Sequence, residues 1–180
     1  PCRPTGMLFG LESTLHPFVL HPSYRRELAE LPHAERVARM REPELRAQLQ
    51  RSLIRSHAAG MGDPVEREVV RALMFLRLKT LASGRTGIRP VVAETMAALL
   101  NAGITPKVHE YGSLGCSGDL APLSHCALVL MGEGRAYGAD GNEADSADLL
   151  VAAGIEPVVL EAKEGLALIN GTDGMLGMLC

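Results

Sequence analysis

The chain has 180 residues, 47% of them hydrophobic, and its 18 Lys and Arg against 21 Asp and Glu leave a net charge of −3. That charge is interspersed rather than gathered into a basic stripe, and three Tyr and three Phe offer few rings for stacking on bases, so nucleic-acid binding is not expected. No apolar run reaches the length of a membrane span, and no basic-then-apolar leader opens the chain; the four cysteines, Cys2, Cys116, Cys126 and Cys180, lack C-x-x-C spacing and read as free thiols of a cytoplasmic protein.

In chain order, the charge-rich stretch from Arg25 to Arg46 reads as a solvated helical face. The clearest element is a helix from Asp63 to Ser83. Asp63 can cap it, Pro64 suits the first helical position, Glu66 completes a capping-box pattern, and Gly84 stops it. Val65, Val69, Leu73 and Leu76 then form an apolar stripe at helical spacing. A second helix starts at Pro90 and ends before Gly103, and a third runs from Asp119 to Met131 with Gly132 as its stop. Helices after Asp145 and around Glu161 to Leu168 follow, with short extended pieces near Thr105 to Val108 and Pro157 to Leu160. The fold class is therefore mainly α with few short strands, and there is no internal repeat.

Residues 111 to 123 read Tyr-Gly-Ser-Leu-Gly-Cys-Ser-Gly-Asp-Leu-Ala-Pro-Leu. Cys116-Ser117-Gly118 can build an electrophile from backbone: the amide nitrogen of Gly118 would reach the carbonyl carbon of Cys116, a closure that glycine permits because it has no Cβ. Loss of two waters would leave a methylidene on an imidazolone, a function no ordinary side chain offers and that is normally left to a cofactor. The plain alternative is a flexible glycine turn before a helix, with Asp119 as its cap. The spacing fits neither a dinucleotide fingerprint nor a P-loop nor a hydrolase nucleophile elbow.

Gly-Ser-Leu-Gly-Cys-Ser-Gly-Asp-Leu-Ala-Pro-Leu-Ser-His resembles the motif of the histidine and phenylalanine ammonia-lyases. So do Ser56-His57-Ala58-Ala59-Gly60, Gly84-Arg85-Thr86-Gly87-Ile88-Arg89-Pro90 and Lys163-Glu164-Gly165-Leu166-Ala167-Leu168-Ile169-Asn170-Gly171-Thr172, all in the family's order, so that the resemblance covers about 49–180. It implies a helical portion of the fumarase/aspartase-like fold and a 4-methylideneimidazole-5-one group formed from Cys116, Ser117 and Gly118. No metal is implied, and the partners are an amino-acid substrate and further copies of the chain, tetrameric in the family. The family's triplet usually begins with alanine; here Cys116 would keep its side chain as a substituent on the ring.

His57 alone could be a structural histidine. The resemblance places it beside the substrate side chain, and its Ser-His context is similar to the histidine-specific branch, which implies elimination of ammonia from L-histidine to give urocanate. An imidazole there can pair with a substrate imidazole and so reject analogues that lack one. Asn170 sits in an Asn-Gly dipeptide that by itself is turn chemistry; the resemblance puts its amide near the ring and the substrate carboxylate. A phenylalanine or tyrosine ammonia-lyase, an aminomutase, or an inactive truncated or fused product are the alternatives. His125 and Cys126 read as packing residues of the third helix rather than zinc ligands with Cys116, and His109 and Glu110 have no assigned role.

The family's β-proton base is a tyrosine in a loop reading Tyr-Gly-x-x-Thr-Gly-Phe-Gly, and no such motif precedes Leu49; Tyr24 lacks that context. The first 48 residues resemble instead a stretch of N-acyl-D-amino-acid deacylases, through Arg3-Pro4-Thr5-Gly6, Leu15-His16-Pro17-Phe18 and His21-Pro22-Ser23-Tyr24-Arg25, without that superfamily's metal cluster. Two segments are thus expected, 1–48 foreign and 49–180 lyase-like. Since the family continues far past Cys180, the chain is expected to be a fragment inactive by itself.

Overall fold

A computed structural model of the chain describes residues 30–39, 42–115 and 118–180. Cys116, Ser117 and most of the deacylase-like stretch lie outside the described residues.

The chain enters through α1 (His33–Arg39), which buries nothing, and α2 (Pro43–His57), which has proline in its first turn and turns Leu45, Leu49, Leu53 and Ile54 inward. β1 (Met61–Pro64) follows, then α3 (Arg67–Ala82) and α4 (Pro90–Asn101). β2 (Thr105–Pro106) and β3 (His109–Tyr111) lead to α5 (Leu120–Leu130). The hairpin β4 (Arg135–Tyr137) and β5 (Glu143–Asp145) precedes α6 (Ser146–Ala153), α7 (Glu164–Ile169) and α8 (Asp173–Leu179).

α5 is the axis of the assembly. It carries no charged residue, and Leu123, Cys126, Ala127, Val129 and Leu130 are all buried, as expected of a helix surrounded by others. α2 and α7 pack against it and against each other, and α3 packs on α4 and α8. Ile54, Met74, Met96, Leu99, Leu123 and Leu168 join these helices in one core. Each such side chain fully removed from water contributes about 1.5–3 kcal/mol before entropy is counted. α8 lies unusually close to α3 because Gly177 has no side chain: a methyl there would stand 2.9 Å from the Val69 carbonyl oxygen.

β1 and β3 form a two-stranded antiparallel ribbon, with Met61 opposite Tyr111 and Pro64 opposite His109. β2, β4 and β5 form a separate antiparallel sheet in that order, whose exposed face carries Lys107 and Arg135 on Glu143, and Arg135 again on Asp145.

Several expected elements are corrected. The Asp63 capping box does not form; Asp63 and Pro64 belong to β1, the helix starts at Arg67, and Glu66 at its cap makes no side-chain bond. Strand pairing wins because Val65 N–H reaches the Val108 carbonyl at 2.9 Å, extending the ribbon beyond its ladder. The buried stripe of this helix is Val70, Leu73, Met74, Arg77 and Leu81, rotated from the apolar series, while Val65, Val69 and Leu76 are only half-buried. Pro157 to Leu160 forms no strand; Val158 N–H bonds the Leu130 carbonyl at the end of α5. α7 begins at Glu164 rather than Glu161. β3, β4, β5, α8 and the buried stretch of α2 beyond Arg46 were not anticipated. The second and third helices stand as read, ending before Gly103 and Gly132, and a helix follows Asp145 as expected; the structure ends it before Gly154, and all three glycines have positive φ.

Candidate active site

The site grows from the amino end of α5. Gly118 and Asp119 lead into that helix, and Asp119 is wholly buried. Its backbone N–H donates to the Gly171 carbonyl at 2.6 Å, joining the start of α5 to the turn between α7 and α8. Asp119 does not cap its own helix with its side chain. One carboxylate oxygen accepts from the Ser113 hydroxyl in the preceding loop. The other accepts from Met175 N–H at 2.9 Å, in the first turn of α8. A carboxylate there satisfies an otherwise orphaned amide and faces the positive end of the helix.

This arrangement brings two of the sequence-predicted residues together. A methyl built on Gly118 would lie 3.7 Å from Asn170 Oδ1. His57 ends α2, which packs on both α5 and α7, but no hydrogen bond joins it to Gly118 or Asn170 among the described residues. His57 Nδ1 is 2.8 Å from the Leu53 carbonyl and 3.0 Å from Ser56 Oγ. A carbonyl only accepts, so Nδ1 is the donor here, which leaves Nε2 as the acceptor of the neutral ring.

Arg77, missed as a candidate, reaches this corner from α3. Its Nη1 pairs with Asp173 Oδ2 at 3.1 Å, and both side chains are buried. Nη2 donates to the Asn170 carbonyl at 3.1 Å and to the Ala167 carbonyl. A charged residue at helical spacing inside the Leu73, Met74, Leu81 face was the available clue, since buried arginine requires a partner. Burial pushes the Cys126 thiol up to about 12, with the Asp173 charge adding to it, so Cys126 is an inert core thiol.

The motifs are tied to one another in space. Gly60 of the first donates its N–H to His125 Nε2 on α5 at 3.1 Å, so His125 accepts as neutral imidazole. Burial first, and then the neighbouring His109, lowers its pKa; the two rings are 5.4 Å apart, and His109 Nδ1 bonds the Gly62 carbonyl at 2.9 Å. Arg89 of the second motif grips Glu164 of the third: Arg89 Nε and N–H meet one Glu164 oxygen, each at 2.9 Å, and Nη2 meets the other at 2.8 Å. Burial opposes the Glu164 charge, but Arg89 and the Glu161 and Arg89 amides outweigh it and hold the carboxyl below its ordinary range. Behind it, Gln50 of α2 accepts from Gly165 N–H at 3.0 Å.

A family described as aromatic amino acid lyase matches residues 35–180. The chain belongs to that family. A histidine ammonia-lyase of Streptomyces griseus is 77% identical over 136 residues, which are 76% of this chain and 26% of the relative. A tyrosine ammonia-lyase of Cupriavidus metallidurans is 52% identical over 132 residues, 73% of this chain and 25% of the relative. Among solved structures, the histidine ammonia-lyase of Trypanosoma cruzi superposes with a TM-score of 0.72 at 39% identity, covering 76% of this chain and 27% of that one. The chain thus spans about a quarter of the length of the curated relatives it matches. The resemblance read from the motifs holds, and the mainly helical lyase fold with it; the family match begins upstream of Leu49.

Proposed function

We propose that this chain is part of a histidine ammonia-lyase, which eliminates ammonia from L-histidine to give urocanate through a 4-methylideneimidazole-5-one group made from Cys116, Ser117 and Gly118. The observation that carries the reading is Gly118, held at the amino end of α5 with the Asn170 amide beside it. The fit to the ring rests on Gly118 and its surroundings. Among the described residues outside its chain neighbours, the nearest groups to a methyl added at Gly118 are side chains, Asn170 Oδ1 and Leu120, each at 3.7 Å, so no described backbone crowds that side of Gly118. Gly115, at φ 61°, supplies the turn that brings the chain in.

When formed, the group supplies an electron-accepting methylidene. The first amides of α5 and its positive dipole end favour negative charge at that point. Asn170, exposed at the corner, offers amide donors to an anionic oxygen. His57 Nε2 can accept from a substrate imidazole N–H, and a site built for that bond discriminates strongly against a phenyl ring. Histidine rather than tyrosine is supported by the Ser56-His57 pair and by the 76–77% identity to the three Streptomyces histidine ammonia-lyases. No described residue is assigned as the β-proton base.

The complete protein is read as a cytoplasmic homotetramer. Phe75 on α3 and Leu176, Met178 and Leu179 on α8 are exposed apolar side chains suited to packing against further helices. No helix among the described residues is long and apolar enough to cross a membrane. Intact-mass measurement tests the reading: the complete protein is expected to be two waters lighter than its sequence, the loss mapping to Cys116–Gly118 and vanishing in Ser117→Ala, with urocanate as product. An unmodified mass overturns it, and cinnamate or coumarate formation without urocanate overturns the substrate.

A further inference from the structure

We propose that Arg77 is the positioning residue that aims the Asn170 amide at Gly118. The inference rests on the reading of Asn170 given above and concerns how that residue is held. The Asn170 side chain makes no hydrogen bond among the described residues, so its direction is set by its backbone. That backbone is where Arg77 acts.

Arg77 projects from the middle of α3 into the turn between α7 and α8 and is 3% exposed. Its Nη2 donates to the Ala167 and Asn170 carbonyls, both at the end of α7, where helical carbonyls lack partners. Its Nη1 holds Asp173 Oδ2 at 3.1 Å, in the first turn of α8. One planar cation therefore sits at the negative end of α7 while its carboxylate partner sits at the positive end of α8, each in its favourable field. The rigid fork of a guanidinium fixes the spacing of all three acceptors, which a lysine ammonium on a flexible stem does not do.

The turn has been shaped to admit this contact. A methyl on Gly171 would collide with both Asp173 Oδ2 and Arg77 Nη1. The Gly171 carbonyl in turn accepts from Asp119 N–H at 2.6 Å. Asn170 thus lies in a turn held both by Arg77 of α3 and by Asp119 at the start of α5, next to Gly118.

The test is a double-mutant cycle on the full-length protein. Arg77→Lys keeps the charge and loses the fork. Arg77→Met with Asp173→Asn removes both members of the buried pair and leaves no lone charge if the first variant fails to fold. Each is made alone and with Asn170→Ala, and each is checked by intact mass. Either change at 77 is expected to lower kcat/KM by ~10- to 100-fold, the scale of a misplacement of about 1 Å at a reacting centre. The two-water mass loss should persist, and in the Asn170→Ala background the same change should cost less than about 3-fold. An undiminished loss in that background, or none in the native one, overturns the proposal. Turnover unaffected by Asn170→Ala alone would instead overturn the reading of the site.

Discussion

Gly171→Ala puts the crowding of this corner to a direct measurement. The backbone at Gly171 is not in the left-handed region, so a side chain is forbidden there by neighbours and not by φ. The new methyl would overlap Asp173 Oδ2 and Arg77 Nη1, which are 3.1 Å apart in a pair whose side chains are 4% and 8% exposed. If the pair separates, two buried charges lose their partner, at about 3–5 kcal/mol. If the turn yields and the pair survives, the cost is that of overpacking, about 1–3 kcal/mol. Alanine also narrows the unfolded ensemble, which returns about 0.4–1 kcal/mol. The net expectation is a loss of roughly 1–4 kcal/mol, and with a urea slope near 2 kcal/mol/M a loss of 2 kcal/mol lowers the unfolding midpoint by about 1 M. With Arg77 and Asp173 both replaced by alanine, the methyl has room, and its cost should fall below about 1 kcal/mol. A Gly171→Ala protein within about 0.5 kcal/mol of the parent would refute the crowding argument.

Cys126, buried and with its thiol pushed up to about 12, should resist iodoacetamide at pH 8 in the folded chain while exposed Cys180 is alkylated; peptide mapping that finds both labelled at one rate would contradict this. The Glu164 carboxyl, held below its ordinary 4.5 despite burial, contributes stability that is complete above that value and is lost as pH falls through the lower folded one. Glu164→Gln should therefore lose about 1–3 kcal/mol at neutral pH and show a flatter stability profile in acid, measured by urea midpoints. His125, lowered from 6.5 by burial and by His109, adds stability that is complete above 6.5 and declines as pH falls below it, because the unfolded state takes up the proton first. His125→Gln keeps an acceptor near Gly60 N–H without the titration, so the midpoint should lose that slope; an unchanged slope would assign the decline to another group.

What could be read from the chain was what depends on neighbours in sequence. Pro90 opens α4 in the first turn, and Gly103, Gly132 and Gly154 stop three helices in the left-handed conformation that favours glycine. What could not be read depends on distant partners. Asp63-Pro64-Val65-Glu66 has the local grammar of a cap, but the strand pairing with Val108 to Tyr111 is invisible from one side of it. The expected stripe of Val65, Val69, Leu73 and Leu76 differs from the buried face of α3, which is completed by Arg77, a cation whose carbonyl acceptors lie 90 and 93 positions onward. Asp119 looked like a local cap for the same reason: its acceptor role serves Met175, 56 positions away. At the site, Gly118 and Asn170 were legible as a pair only through the resemblance, and the structure adds their proximity. Cys116 and Ser117 lie outside the described residues.

The motifs that match the family are separated in sequence but form a chain of contacts, and this explains why substitutions well outside the reacting atoms should matter. Gly60 joins α5 through His125, and a methyl on Gly112 would come within 3.4 Å of the Gly60 α-carbon, so the segment after His57 lies against the loop that leads to Gly118. Arg89 joins α7 through Glu164, and Gly165 passes 2.9 Å from Gln50 Oε1 if given a methyl, so α2 and α7 meet without room for a side chain. Gly171 and Gly174 leave equally little space beside the Arg77–Asp173 pair and Asp119. Gly60, Gly165, Gly171 and Gly174 each bring backbone against a polar side chain, and the resulting ties fix helix ends relative to one another more tightly than apolar packing alone. The proposed site, built on backbone amides, His57 and an exposed Asn170, has little charge of its own with which to correct a misplacement. Its accuracy must come from those helix ends, and damage to a tie such as Arg89–Glu164 should therefore reach Asn170 through α7 even though neither residue touches it.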